Sequence, residues 1–267
     1  PCTLRKPHDS SAPFAGCTSG KKNTKSGPSH IASREAAMKR SASERVRRMI
    51  RKSESRRPKT RRCPTIPLEV DEQIKGEIPE EVLSATSEDT LFLDLETTGL
   101  MAHRSLTAMI GILYRRNDTL RLRQWYSGDV STERKQLDRL YQWMASFRTV
   151  VTYNGDGFDL PFLRHRAQWH GLETENEPQS VDLLPIIRRH YKKKWPNCRL
   201  VTAEERLLGI PRCADDVPGS EAPLRFQDLR EGSPLEVITP IYTHNRRDLI
   251  SLVSLHHRLV APILMGE

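Results

Sequence analysis

Between residues 91 and 153 the apolar positions change period twice, and the order of those changes restricts the fold more than any other feature of the chain. In Leu91-Phe92-Leu93-Asp94-Leu95-Glu96-Thr97-Thr98-Gly99 they alternate, with Leu91, Leu93 and Leu95 on one face and Phe92, Asp94 and Glu96 on the other, the period of a strand. Thr107 to Tyr114 and Leu120 to Tyr126 read as two more strands, joined at the turn-forming pair Asn117-Asp118 into an antiparallel hairpin. From Glu133 to Phe147 the spacing lengthens to that of an amphipathic helix, with Leu137, Leu140, Tyr141, Met144 and Phe147 in register. The β-branched segment Thr149 to Tyr153 then returns to strand. Strand, helix and parallel strand form a right-handed crossover, and with the hairpin beside it the sheet must be mixed. The fold class is α/β.

The first strand points two carboxylates, Asp94 and Glu96, the same way. Neighbouring like charges in a partly buried place resist ionisation unless a cation compensates them. Oxygen donors on an unstrained strand suit Mg²⁺ or Mn²⁺, whereas zinc prefers nitrogen and sulfur. A lone D-x-E also describes an ordinary solvated edge strand, so a metal site needs further acids.

The chain supplies two. In Tyr153-Asn154-Gly155-Asp156-Gly157-Phe158-Asp159-Leu160-Pro161-Phe162 the asparagine and glycines predict a tight loop, and Pro161 suits the first turn of a helix that runs to about His170. Asp159 opens that helix, either as a capping acid or as a third metal carboxylate. Near the C-terminus, His244 and Asp248 in Tyr242-Thr243-His244-Asn245-Arg246-Arg247-Asp248-Leu249 lie one helical turn apart on a face that Leu252 and Leu255 continue into the core. That places a fourth carboxylate beside a group that titrates near neutrality, or else a satisfied core pair. Residues 181–195 read as one helix with an acidic start and a basic end. Dipole complementarity explains that order, and Lys192, Lys193 and Lys194 between Tyr191 and Trp195 also suit phosphate contact and base stacking. Leu200 to Leu208 predicts a short helix. Arg212 to Pro223, with Asp215, Asp216 and Pro218-Gly219, reads as an irregular loop that could border the site, with no chemistry assigned to it.

Charge is concentrated at one end. Residues 1–67 carry 18 Lys and Arg against 4 acids, while the remainder carries 25 against 30. The N-terminal 67 residues are rich in Ser and Pro, and they predict a largely disordered tail apart from a marginal basic helix from Ser33 to Ser55; that tail is either an arm following a phosphate backbone or a solvated extension. The folded domain is expected from Leu68 to Glu267, with 68–90 as an acidic lead-in. Five cysteines without a C-x-x-C pair indicate neither a disulfide framework nor a zinc cluster. With no apolar run of about 18 residues and no secretory signal, the expectation is a soluble cytoplasmic protein without membrane contact. An organellar address in the Arg- and Ser-rich N-terminus is the alternative.

Taken together, Asp94-x-Glu96, Asn154-x-x-x-Phe158-Asp159 and His244-x-x-x-Asp248 resemble, in order, the three exonuclease motifs of the DEDD superfamily of 3′→5′ exonucleases. The wider wording F-L-D-L-E-T-T-G-L, V-T-Y-N-G-D-G-F-D-L-P-F-L, D-D-V-P-G and H-N-R-R-D-L-I-S-L is similar to the YprB-like ribonuclease-H-like family, over about residues 68–260. The resemblance implies a ribonuclease-H-like mixed five-stranded sheet flanked by helices, and two-metal hydrolysis of phosphodiester bonds in DNA or RNA from a single-stranded 3′ end. It implies that Asp94, Glu96, Asp159 and Asp248 hold two Mg²⁺ or Mn²⁺ ions and that His244 serves as the base. The candidate nucleic-acid contacts are Thr97, Asn154, Phe158, Lys192, Lys193 and Lys194. One departure concerns the base: the common subclasses place a Tyr four residues before the last Asp or a His five before it, and here a His stands four before. The rival readings are a non-catalytic nucleic-acid-binding module and a ribonuclease-H-type endonuclease.

Overall fold

The computed structural model describes residues 69–265 except 175 and 213–215, with side chains described as far as 260. The expectations for the basic tail lie outside the described residues. Six strands form one sheet in the order β1-β4-β3-β2-β5-β6. They are β1 Glu69–Ile74, β2 Thr90–Thr97, β3 Thr107–Arg116, β4 Thr119–Tyr126, β5 Thr149–Thr152 and β6 Gln179–Asp182. The helices are α1 Glu80–Ala85, α2 Val130–Met144, α3 Asp159–Trp169, α4 Leu183–Tyr191, α5 Leu200–Ala203, α6 Ala222–Arg230 and α7 Thr239–Met265. Strands β1 to β4 pair antiparallel where they meet, and β2, β5 and β6 run parallel. The crossover expected between β2 and β5 is α2.

Because β2 is covered on both sides, its alternation separates two cores. Leu91, Leu93 and Leu95 pack with Ile110 and Ile112 under Leu137, Leu140 and Met144 of α2 and Leu160 and Leu163 of α3. Phe92 packs on the opposite face with Leu113, Leu122 and Val151 under Leu183 and Ile187 of α4 and Leu249, Leu252 and Val253 of α7. Asp94 and Glu96 share the face of Phe92, so they open toward α7.

Three local differences from the sequence reading have physical causes. Strand β1 occupies what reads as an acidic lead-in, because its acids meet arginines: Asp71 holds Arg121 at 2.5 Å and Arg123 at 2.9 Å across the pair, and Glu69 holds Arg139 of α2 at 2.7 Å. It adds a sixth strand at the edge of the expected five. Helix α2 starts earlier than Glu133, since the Asp129 side chain accepts from the Thr132 amide at 2.8 Å and caps it. The segment 181–195 is divided between the end of β6 and α4, because Asp182 caps α4 through the Leu184 amide at 3.0 Å while its backbone still pairs with Thr152. Among the described residues no helix is long and apolar enough to cross a membrane.

Candidate active site

The site is built where β2 passes beneath α7. Asp94 stands opposite Gly111 of β3, and Gly111 opposite Gln124 of β4. That glycine is a steric requirement, for a Cβ at 111 would lie 2.0 Å from the Asn245 Oδ1 atom. Asn245, fully buried, uses the vacated space to donate from Nδ2 to the Asp94 Oδ2 at 2.7 Å and to the Asp94 backbone carbonyl at 3.1 Å. Its Oδ1 accepts from Gln124 Nε2 at 2.8 Å, and the same Nε2 donates to the Tyr242 carbonyl at 2.8 Å. Both Nδ2 protons of Asn245 and both Nε2 protons of Gln124 are thereby used, as buried polar groups require. One oxygen of Asp94 is fixed by this relay and the other is left toward the cleft.

Asp159 arrives from the other side of β2. The loop 153–158 is folded by Asp182, whose carboxylate accepts from the amides of Asn154 at 2.7 Å and Asp156 at 3.2 Å. Gly155 makes this turn possible, since a Cβ there would lie 2.1 Å from Thr152 Oγ1. Asp159 then opens α3 with its carboxylate accepting from its own amide and from the Leu95 amide between Asp94 and Glu96. Burial pushes its pKa up to about 7, against those two hydrogen bonds.

The remaining acids respond in the same direction. Burial raises Asp94 well above the ordinary carboxylate range, reinforced by the charges of Asp248, Glu96 and Asp159 and opposed by the Asn245 hydrogen bond. Burial likewise raises Glu96, with Asp248 and Asp159 adding to it. Asp248 is raised by burial despite His244 and Arg212 beside it. Glu96, Asp159 and Asp248 expose 6%, 6% and 8% of their surface, and Asp94 is partly buried. Four carboxylates thus converge, and burial makes each reluctant to ionise.

The cation that borders this cluster is Arg212. Its Nε and Nη2 grip Glu204 at 2.5 and 3.0 Å, Nη1 reaches Asp216 at 3.0 Å, and Nη2 reaches the Asp248 Oδ1 at 2.5 Å. Glu204 is itself buried, on a single π-helical turn, Glu204–Leu208, that continues α5. His244 is clamped in the same network, with Nδ1 3.4 Å from Asp216 and 3.3 Å from Arg212, and Nε2 3.5 Å from the Asp248 Oδ2. The loop that has no chemistry in the sequence reading therefore contributes Arg212 and Asp216 to the site.

Asp94, Glu96, Asp159, His244 and Asp248 are brought together. Thr97 lies at a register shift just past Glu96, its hydroxyl donating to the Gly99 carbonyl at 2.8 Å to close the turn after β2. Asn154 is exposed on the loop before Asp159, and half-buried Phe158 tilts against Phe162 at 5.6 Å between ring centroids. Lys192, Lys193 and Lys194 follow the end of α4, exposed and outside the acid cluster. Asn245, Gln124, Arg212 and Glu204 have no site role in the sequence reading. Asn245 adjoins His244 and could have been noticed there, but nothing in the local pattern announces the others.

The donor set fits a hard divalent cation, being carboxylate oxygens with a deficit of positive charge. As the side chains stand, no three His, Cys, Asp or Glu groups among the described residues are arranged to hold an ion.

Residues 91–260 match the RNase_H_2 family, of the RNase_H superfamily. The uncharacterized protein YprB of Bacillus subtilis (strain 168) is 31% identical over 182 residues, which make up 65% of this chain and 42% of YprB. The chain thus spans less than half the length of that relative. A family B DNA polymerase from Pyrobaculum calidifontis shares the fold over 64% of this chain and 24% of the polymerase, with a TM-score of 0.54 and 17% identity. Brucella melitensis NrnC with bound Mg²⁺ aligns over 69% of this chain and 78% of its own, with a TM-score of 0.44 and 16% identity. With the family match extending over more than half its length, the chain belongs to the RNase_H_2 family of the RNase_H superfamily.

Proposed function

We propose that this chain is a metal-dependent 3′→5′ exonuclease that hydrolyses phosphodiester bonds of nucleic acid. The observation that carries the reading is the convergence of Asp94, Glu96, Asp159 and Asp248 from β2, α3 and α7 into one buried cluster, in which burial raises all four pKa values and the neighbouring acids raise those of Asp94 and Glu96 further. A fold does not maintain such repulsion for stability, and a divalent cation relieves it. These four carboxylates would hold Mg²⁺ or Mn²⁺. When bound, such ions supply an activated water at neutral pH and stabilise the charge on the departing oxygen.

The chain's own groups do the rest. Asn245 orients Asp94 through its hydrogen bond, and the Leu95 amide orients Asp159. Arg212 holds one oxygen of Asp248 and leaves the other beside His244. His244, with Nδ1 between Arg212 and Asp216 and Nε2 toward Asp248, would orient the attacking water or take its proton. Thr97, at the end of β2, and Asn154 and Phe158, in the loop before Asp159, would contact the terminal nucleotide, with Lys192, Lys193 and Lys194 meeting phosphates farther along the strand.

The test is a single-stranded oligonucleotide labelled at either end and incubated with Mg²⁺ or Mn²⁺. The proposal expects a ladder shortening by one nucleotide from the 3′ end on 5′-labelled DNA or RNA, with none in EDTA. Internal cuts on a strand with a blocked 3′ end would replace it with an endonuclease, and binding without hydrolysis under all these conditions would replace it with a binding module.

A further inference from the structure

A groove of about 590 Å³ runs beside α4, between that helix and residues 196–200. Its lining includes Tyr153 and Asn154 at one end and Arg188, Lys192 and Arg199 along the side. Its size lies in the range of clefts that take small organic ligands. No acid is among the residues that line it, and Arg188, Lys192 and Arg199 form no ion pair among the described residues. Elsewhere in the molecule Arg121, Arg139, Arg166, Arg212 and Arg246 each hold a carboxylate. Helix-dipole complementarity explains a cation in the last turn of α4, but not Arg199, which comes from a different element and lines the same groove.

Two further observations connect the groove to the acids and to a flat surface. The Tyr153 hydroxyl donates to the Cys198 carbonyl at 2.8 Å, joining the groove's far wall to the loop that delivers Asp159. At the end of α4, half-buried Tyr191 and Trp195 stack at 4.2 Å with 9° between their planes, and Lys194 Nζ lies 5.8 Å from the Tyr191 ring. Cations beside an aromatic pair are a combination that can follow a single strand without regard to sequence.

We propose that this groove is a phosphate track for one nucleic-acid strand, in which Arg188 and Arg199 neutralise backbone phosphates of nucleotides that lie away from the reacting bond. The choice of ligand rests on the nuclease reading above. The assignment of the groove rests on its own geometry and charge.

The test measures binding without turnover. An Asp94→Asn chain is titrated into a fluorescent 12-nucleotide single strand at several salt concentrations, alone and with Arg188→Gln and Arg199→Gln added together. Each phosphate that is no longer neutralised lowers the salt slope by about 0.7, so the double change should reduce it by roughly 1.4 and weaken binding at least tenfold at low salt. Arg188→Lys with Arg199→Lys should restore the slope, and Arg116→Gln on the far hairpin should leave it unaltered. Thermal melts of each variant distinguish weaker phosphate binding from a failure to fold. A full salt slope in the folded glutamine variant would overturn the track, as would a parent that binds no strand. So would an oligoglutamate of equal length that binds as tightly and loses as much on substitution, since the groove would then be an acidic-peptide site. The two readings fail separately: if the unsubstituted chain cleaves while the glutamine variant keeps its slope, only the groove is lost, and if binding depends on the two arginines but the unsubstituted chain cleaves nothing, only the nuclease is lost.

Discussion

Asn245 shows how much a buried site can depend on a residue that carries no charge. Replacing it with Ala removes the donor to Asp94 and leaves Gln124 Nε2 with one acceptor fewer, so Asn245→Ala should cost about 1–3 kcal/mol in denaturant unfolding. If its role is to position Asp94, the concentration of Mn²⁺ that half-saturates the metal-induced rise in melting temperature should also increase, a change that mere loss of stability would not produce. For His244 the expected outcome is different. His244→Ala should leave metal binding close to that of the parent and slow single-turnover cleavage by about 10² to 10⁴. A loss of only a few-fold per folded molecule would show that the ring merely fills the space between Asp216 and Asp248. The acids were legible in the sequence because strand and helix periods put them on defined faces. Arg212 was not, because its partners Glu204, Asp216 and Asp248 lie 8, 4 and 36 residues away and only the fold makes them neighbours.

Among the elements, the strands and helices around the two cores follow the periodicity closely, since burial on β2 depends only on alternation. Strand β1 escaped detection because its stability derives from a partner strand: Asp71 has no reason to be extended until Arg121 and Arg123 stand across from it. The junction of α2 with α3 is of the same kind. Glu133 is fully buried, and its two oxygens accept from the Thr107 amide at 2.7 Å, from Arg166 at 2.9 and 2.5 Å and from His170 at 2.8 Å. This carboxylate fastens two helices to β3 on the face of the sheet opposite the acid cluster. Glu133→Ala strands Arg166 in the interior and should cost about 3–5 kcal/mol, the range for breaking a buried ion pair on one side. Chemical denaturation of the variant checks the figure. A cost below about 1 kcal/mol would mean that α2 and α3 are held by their apolar contacts alone.

At the scale of the whole molecule, stability should respond to pH and to metal through different groups. His256, edge-on to Phe92 at 5.7 Å, is buried enough that its pKa is pushed down to about 4. The unfolded chain binds that proton near pH 6.5, so the folded state loses stability as pH falls from about 6.5 to 4 and has its full share above that window. His256→Gln should therefore flatten the difference in melting temperature between pH 7 and pH 4.5 relative to the parent, and an identical pH dependence would place the titration elsewhere. The carboxylate cluster acts oppositely, since like charges forced together at neutral pH oppose folding until a cation joins them. The most direct measurement of that claim is thermal unfolding of the parent and of Asp94→Asn at pH 7.5, each across a titration of Mn²⁺. The cation-site account predicts that without metal the variant melts higher than the parent, and that saturable Mn²⁺ raises the parent by several degrees while leaving the variant nearly unmoved. A parent unaffected by Mn²⁺, or a variant stabilised as much as the parent, would contradict it.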